Sequence, residues 1–287
     1  MRRRTGRILH RRTRRILRRR TRRIRHRRRH ILGRLFSALA FLTVIPIPES
    51  LQSRREGGMF AAYPAAGLLI GALLSLAYLA ATLIFSPSVA AVVLIAASLF
   101  LTGALHLDGL ADCADAFYGR RTRSATLRIL KDPRIGTMGG AAIGLSLLAR
   151  YAALSSLPPL FILAGLPVIS MFSRTAVVLA MRALPYVRAG TGILPKRPSL
   201  SPGLIVLALI VTAVSTILLP IPVLAALLVI AVFWRISWNR IGGCTGDVLG
   251  ASIEIAEIAA LVALTAVPHG SAQWGDLFPI LQLLLAR

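Results

Sequence analysis

The sequence predicts an all-α fold: a polytopic membrane bundle of about seven spanning helices, with the N-terminus in the cytoplasm. Three observations carry that expectation. Mean hydropathy is +0.72, too apolar for a chain that must cover a globule with polar side chains. Apolar runs close to the 20 residues needed to cross a bilayer alternate with short polar breaks from residue 60 onward. Lys and Arg occupy only every second connection between those runs.

The net charge of +25 and the isoelectric point near 11.9 would by themselves suggest a nucleic-acid binder. Position changes that reading. Residues 1–34 hold 18 of the 35 basic residues and none of the ten acidic ones. The remainder carries only +7 and is mostly apolar, so neither a soluble basic domain nor disorder fits it, and no nucleic-acid partner is expected. The division is therefore an Arg-rich low-complexity tract at 1–33 and a membrane domain at 34–287. The tract repeats every eight residues, with Thr5, Thr13 and Thr21 in step with Ile8, Ile16 and Ile24. So dense a charge run is expected to be disordered, or to reflect a start assigned too far upstream.

The elements follow in order. Residues 34–48 read as an amphipathic or re-entrant entry segment that ends at prolines. The expected spans are 60–85, 89–105, 137–156, 160–181, 203–219, 222–237 and 248–267. Pro220 and Pro222 mark a tight turn between two of them. A last apolar segment, 277–286, is too short to span. Connections 49–59, 106–136, 182–202 and 238–247 carry the Lys and Arg; 86–88, 157–159, 220–221 and 268–276 carry none. By the positive-inside rule the first set is cytoplasmic.

The ten acidic residues are the scarce ones, and seven of them fall in three clusters. Asp108, Asp112 and Asp115 recur at i, i+4 and i+7, one stripe of a helix. Three carboxylates on one stripe repel unless a cation lies between them, and an all-oxygen set suits a hard cation, Mg²⁺ or Mn²⁺. Asp132 stands alone before Arg134. Asp247 and Glu254 share a second stripe, with Glu257 a turn further; Glu254 falls at membrane depth, where an acid usually serves a polar cavity. Channel or transporter cation sites compete with an enzymatic reading here.

Cations accompany the acids. Arg134 precedes a helix start at which Thr137 is the expected N-cap, and Arg beside a helix N-terminus makes an anion site. Arg150 lies mid-span and is expected to pair structurally, whereas Arg174 is the better phosphate ligand. His106, two residues before Asp108, is a candidate general base, set against a purely structural role. Metal-binding acids next to anion sites describe phosphoryl transfer. Cys113 and Cys244 fall on the cytoplasmic side, where a disulfide is not expected.

The motifs HLDGLADCADAF (106–117), KDPRIGTMGG (131–140), Ser173-Arg174 and GGCTGDVLGASIEIAE (242–257), preceded by FLTVIPIP (41–48) and YPAAGLLIGA (63–72), resemble those of the cobalamin synthase family. The resemblance runs collinearly over about 34–267. It implies an Mg²⁺-dependent enzyme of the cytoplasmic (inner) membrane, its active site facing the cytoplasm, that joins adenosylcobinamide-GDP to α-ribazole or its 5′-phosphate and releases GMP. Under it, Asp108, Asp112 and Asp115 with Asp247 or Glu254 hold the metal. Arg134, Arg174 and Arg188 bind phosphates. His106 or an acid takes the proton of the attacking hydroxyl. The chain departs from the family pattern at Val44, where Arg is usual, and at Pro133, where Ser is usual. A CDP-alcohol phosphotransferase and a cation transporter remain as alternatives; the former is weakened because Asp112 stands where its pattern has Arg.

Overall fold

The computed structural model describes residues 31–53, 58–187 and 201–266. Most of the Arg-rich tract, Arg188 and segment 277–286 lie outside them. The helices are α1 (Ile31–Leu42), α2 (Tyr63–Thr82), α3 (Pro87–Thr102), α4 (Leu105–Phe117), α5 (Arg123–Ile129), α6 (Thr137–Ser156), α7 (Pro159–Ala183), α8 (Pro202–Leu218), α9 (Pro220–Ile241) and α10 (Gly246–Thr265). Among the described residues the only β pairing is an isolated bridge between Tyr186 and Cys244.

Each expected span has a helix at its place in the expected polytopic helical bundle, and among the described residues five or six crossings can be counted where about seven were expected. Five helices, counting the 3₁₀ turn before α2 with it, are long and apolar enough to cross a membrane. At 16 and 17 residues, α3 and α8 rise only about 24–26 Å, short of a ~30 Å hydrocarbon core. A sixth crossing exists if α3 and α4 form one broken span, bent by 88°. Pro220 does not make a separate turn; it opens α9, where its missing N–H is no loss.

The α3–α4 bend has a local cause. Gly103 and Ala104 are both left-handed, at φ 59° and 55°. For Ala104 that conformation costs about 1–2 kcal/mol. The bend is held from outside, because the Val44 N–H donates to the Leu101 carbonyl at 2.9 Å.

Small residues set the packing. Gly67 and Gly71, four apart on α2, lie against the backbone of α7, and a Cβ on Gly71 would come within 2.6 Å of the Pro167 Cα. Gly109 performs the same task between α4 and α10: a Cβ there would sit 2.7 Å from the Asp247 carbonyl oxygen. α10 thereby becomes the central helix, in contact with α4, α6, α7 and α9.

Candidate active site

The α4–α10 crossing brings two motifs that are distant in sequence onto one cleft. Asp108 and Gly109 of α4 face Gly246, Asp247, Leu249, Gly250 and Ile253 of α10 across about 160 Å³ of space. Phe41, Leu42, Phe60, Tyr63 and Val177 close its apolar side. Asp108 is exposed and Asp247 half-buried, so the acids lie at the mouth. His106 lines the cleft yet is only 4% exposed, and its Nε2 has no hydrogen-bond partner among the described residues.

Asp247 is oriented from below. Thr245 caps α10, accepting from the Val248 N–H, and its hydroxyl donates to Asp247 Oδ2 at 3.1 Å. The turn carrying Thr245 is itself tied down, since the Cys244 N–H donates to the Pro185 carbonyl at 2.9 Å and the Val187 N–H to the Cys244 carbonyl at 3.0 Å. Cys113 and Cys244 are both buried, and neither is joined in a disulfide. Burial pushes the Cys244 thiol up to about 12, which leaves it inert as a nucleophile.

The acid stripe on α4 divides. Asp112, half-buried, is one turn beyond Asp108. Asp115, two turns beyond, accepts from the Gly136 N–H at 2.7 Å and the Gly139 N–H at 2.9 Å. Asp115 therefore caps α6 from outside, and the N-terminus expected to bind an anion already holds a carboxylate. The N-cap is Gly136 rather than Thr137, which is the first helical residue. A Cβ on Gly139 would meet the Asp115 carboxylate at 2.3 Å and displace it from the start of α6.

Glu254 and Arg174 are not at the cleft mouth either. They belong to a buried charge cluster between α6, α7 and α10. Arg150 donates from Nε to Glu254 at 3.0 Å and from Nη2 to Glu257 at 2.9 Å. The Ser146 hydroxyl adds a 2.7 Å bond to Glu254. Arg174, 1% exposed, pairs with Glu257, which also accepts from Ser173 at 3.2 Å. Two guanidinium groups thus neutralise two carboxylates. Arg150 pairs as expected; Arg174 does the same rather than meeting solvent. The signal for this was present in the sequence as Arg150 and Glu257, but nothing there linked them.

Arg134 is exposed on the loop before α6, its guanidinium folded back on Asp132 at 2.7 Å. That pairing holds the Asp132 carboxyl at about 2.

For a divalent ion the carboxylates at the mouth are Asp108 and Asp247, with Asp112 one turn along α4 from Asp108. Among the described residues no three His, Cys, Asp or Glu side chains are gathered closely enough to enclose an ion by themselves. The all-oxygen pair at the mouth fits the way Mg²⁺ is commonly held, by one or two carboxylates with substrate phosphates and water completing its shell. Asp115 and Glu254 lie away from the mouth, the first holding the start of α6 and the second paired with Arg150 and Ser146.

A helical membrane bundle with a carboxylate-rimmed cleft at a helix crossing is the class that fold and site define. A family model described as cobalamin-5-phosphate synthase matches residues 34–265. Proteins named adenosylcobinamide-GDP ribazoletransferase are similar along nearly their whole length. The one from Stutzerimonas stutzeri is 40% identical over 242 residues, covering 80% of this chain and 96% of the relative. That from Chlorobaculum tepidum is 35% identical over 238 residues (80% and 93%), and that from Vibrio cholerae 36% over 255 (83% and 95%). No solved structure matches. The chain belongs to the cobalamin-5-phosphate synthase family.

Proposed function

We propose that this chain transfers the adenosylcobinamide phosphate group of adenosylcobinamide-GDP to α-ribazole or its 5′-phosphate, giving adenosylcobalamin or its 5′-phosphate and GMP. One observation carries the reading beyond the family: Asp108 and Asp247, from separate motifs, rim one cleft where Gly109 lets α4 touch α10. Two carboxylates at a cleft mouth are what a diphosphate-cleaving site needs if a cation is to bridge them to the substrate.

The ribose 3′-hydroxyl of ribazole attacks the phosphorus on the cobinamide side. The new P–O bond forms as the bond to the bridging oxygen breaks, and that oxygen leaves with GMP. The hydroxyl proton passes to His106 or to a carboxylate at the mouth. Asp108 and Asp247, with Asp112 a turn away, would hold Mg²⁺ together with the substrate's phosphates, and the ion would neutralise charge on the diphosphate and on the departing phosphate. Arg134 exchanges its exposed Asp132 partner for a phosphate oxygen. The one-sided Lys and Arg distribution supports an inner-membrane protein whose cleft opens to the cytoplasm.

The test is GMP release by detergent-purified protein from adenosylcobinamide-GDP and α-ribazole, with and without Mg²⁺. Magnesium-dependent GMP is expected. A cation transporter would release nothing in detergent, and a CDP-alcohol phosphotransferase would release CMP from a CDP-alcohol.

A further inference from the structure

A second cavity lies away from the cleft, where α2, α3, α6, α7 and α10 meet. Its apolar walls are leucine and isoleucine, but four polar side chains line it as well: Ser98 of α3, Arg150 of α6, Ser170 of α7 and Glu257 of α10. Glu257 is about 16 Å from the start of α10, halfway along a helix long enough to cross the bilayer. We infer that this cavity holds one trapped water molecule, which ties α3 to the buried charge cluster.

Size, polarity and charge argue for it. The space is about 20 Å³. One water needs about 10–15 Å³ of such space, so one fits and nothing larger does. Cavities that stay empty are apolar, and a buried water makes about two to four hydrogen bonds, for which Ser98, Arg150, Ser170 and Glu257 are at hand. Arg150 and Arg174 offset Glu254 and Glu257, so no net charge is left to attract an ion.

Hydrogen-bonding capacity is left over. Arg150, 9% exposed, bonds Glu254 through Nε and Glu257 through Nη2, and its Nη1 has no protein partner among the described residues. The Ser98 hydroxyl donates to the Ile95 carbonyl at 2.8 Å and the Ser170 hydroxyl to Glu257 at 3.4 Å, so both oxygens keep lone pairs that can accept. A water that accepts from Arg150 and donates to the two serines would meet all three. It would also supply a link that α3 otherwise lacks. Among the described residues no α3 side chain bonds another helix: the Ser98 and Thr102 hydroxyls both turn back to carbonyls of α3 itself. That helix leads directly into the bend before α4.

The experiment has a direct arm and a mutational one, both on the detergent-purified full chain and neither dependent on the transferase reading. A structure of the wild type that resolves ordered water should show one molecule within hydrogen-bond reach of Arg150 and of Ser98 or Ser170. Ordered water elsewhere and none in this cavity would overturn the assignment. In the second arm Ser98→Ala removes the hydroxyl and leaves room for the water, so Tm should fall by no more than about 2 °C. Ser98→Val fills the space, expels the water and strands the Arg150 N–H groups; Tm should fall about 5 °C below that of the alanine variant. Ser98→Thr has the bulk of valine but keeps an oxygen for Arg150, and should melt between the two. In an empty cavity the valine methyls would be buried at no loss, and a Tm above that of the alanine variant would overturn the assignment. Equal losses for threonine and valine would mean crowding instead, and would overturn it too.

Discussion

Two groups of carboxylates have members on α10 and meet opposite fates. At the cleft mouth, Asp108 is exposed and Asp247 half-buried. Two turns deeper on α10, Glu254 and Glu257 are enclosed with Arg150 and Arg174. Both groups look alike in sequence, as acids spaced along an apolar helix. What separates them is the company supplied by other helices. A carboxylate matched by a buried guanidinium is part of the scaffold; one left at an open mouth can still receive a cation or a proton.

The comparison can be broken first at its buried end. Arg174→Met leaves Glu257 with less compensation in an apolar surrounding, and removing one partner of such a pair costs roughly 3–5 kcal/mol. The variant is expected to lose monodispersity on size exclusion and to unfold at lower temperature in detergent. The double variant Arg174→Met, Glu257→Met removes both charges and should recover most of that loss, because matched apolar replacement of a buried pair is often close to neutral. If the double variant is no better than the single one, the cluster is more than a neutralised scaffold.

The open end should respond in the reverse way. Asp108→Asn is expected to lower GMP release about 10²–10³-fold, the usual scale for one electrostatic contact to a reacting phosphate or oxyanion. Its thermal stability should change by less than about 0.5 kcal/mol, as for exposed sites in general. Activity within a few-fold of wild type would remove Asp108 from the site.

A third variant lies between the two groups. Asp115 shares the α4 stripe with Asp108 but spends its charge on the first turn of α6. Asp115→Ala should cost about 1 kcal/mol, the worth of a helix N-cap. The Mg²⁺ concentration for half-maximal GMP release should stay where it is in the wild type. A large rise in that concentration would return Asp115 to the metal.

These differences mark what the sequence could and could not disclose. Helix positions were legible because hydropathy acts locally: 137–156 coincides with α6, and 160–181 falls inside α7. The 88° break between α3 and α4 was not, since it depends on two left-handed residues, one of them an alanine, braced by Val44. The stripe at 108, 112 and 115 was legible as a helix face, but its division was not. Asp115 is capped onto Gly136 and Gly139, and that pairing follows from how α6 returns across α4. The same holds for Arg174, whose partner Glu257 lies 83 positions away. The apolar side of the cleft was legible only in part: Phe41 and Tyr63 open two of the motifs, whereas Phe60 reads as an ordinary span residue until the fold brings it to the cleft with Ile253.

The smallest expected effect is at the loop before α6, and it tests whether Arg134 is available to a phosphate. Asp132 accepts from the Arg134 Nε at 2.9 Å and from its backbone N–H at 3.1 Å. The side-chain bond is the main reason the Asp132 carboxyl is held at about 2, with the backbone bond second. Its ordinary value is about 3.9, so the shift is downward. A carboxyl depressed in the folded state contributes its stabilisation above the ordinary value and loses it as pH falls toward the depressed one. The window is therefore pH 4 down to about 2, well below the working range, and solvent screening at so exposed a pair keeps the contribution slight. Between pH 5 and 8 neither partner changes charge, so Arg134 should bring an undiminished positive charge to substrate throughout. Arg134→Ala should return the Asp132 carboxyl to near 3.9, read by carbon NMR on labelled aspartate, and raise the KM for adenosylcobinamide-GDP while leaving that for α-ribazole alone. An unchanged KM for the nucleotide would confine Arg134 to its own loop.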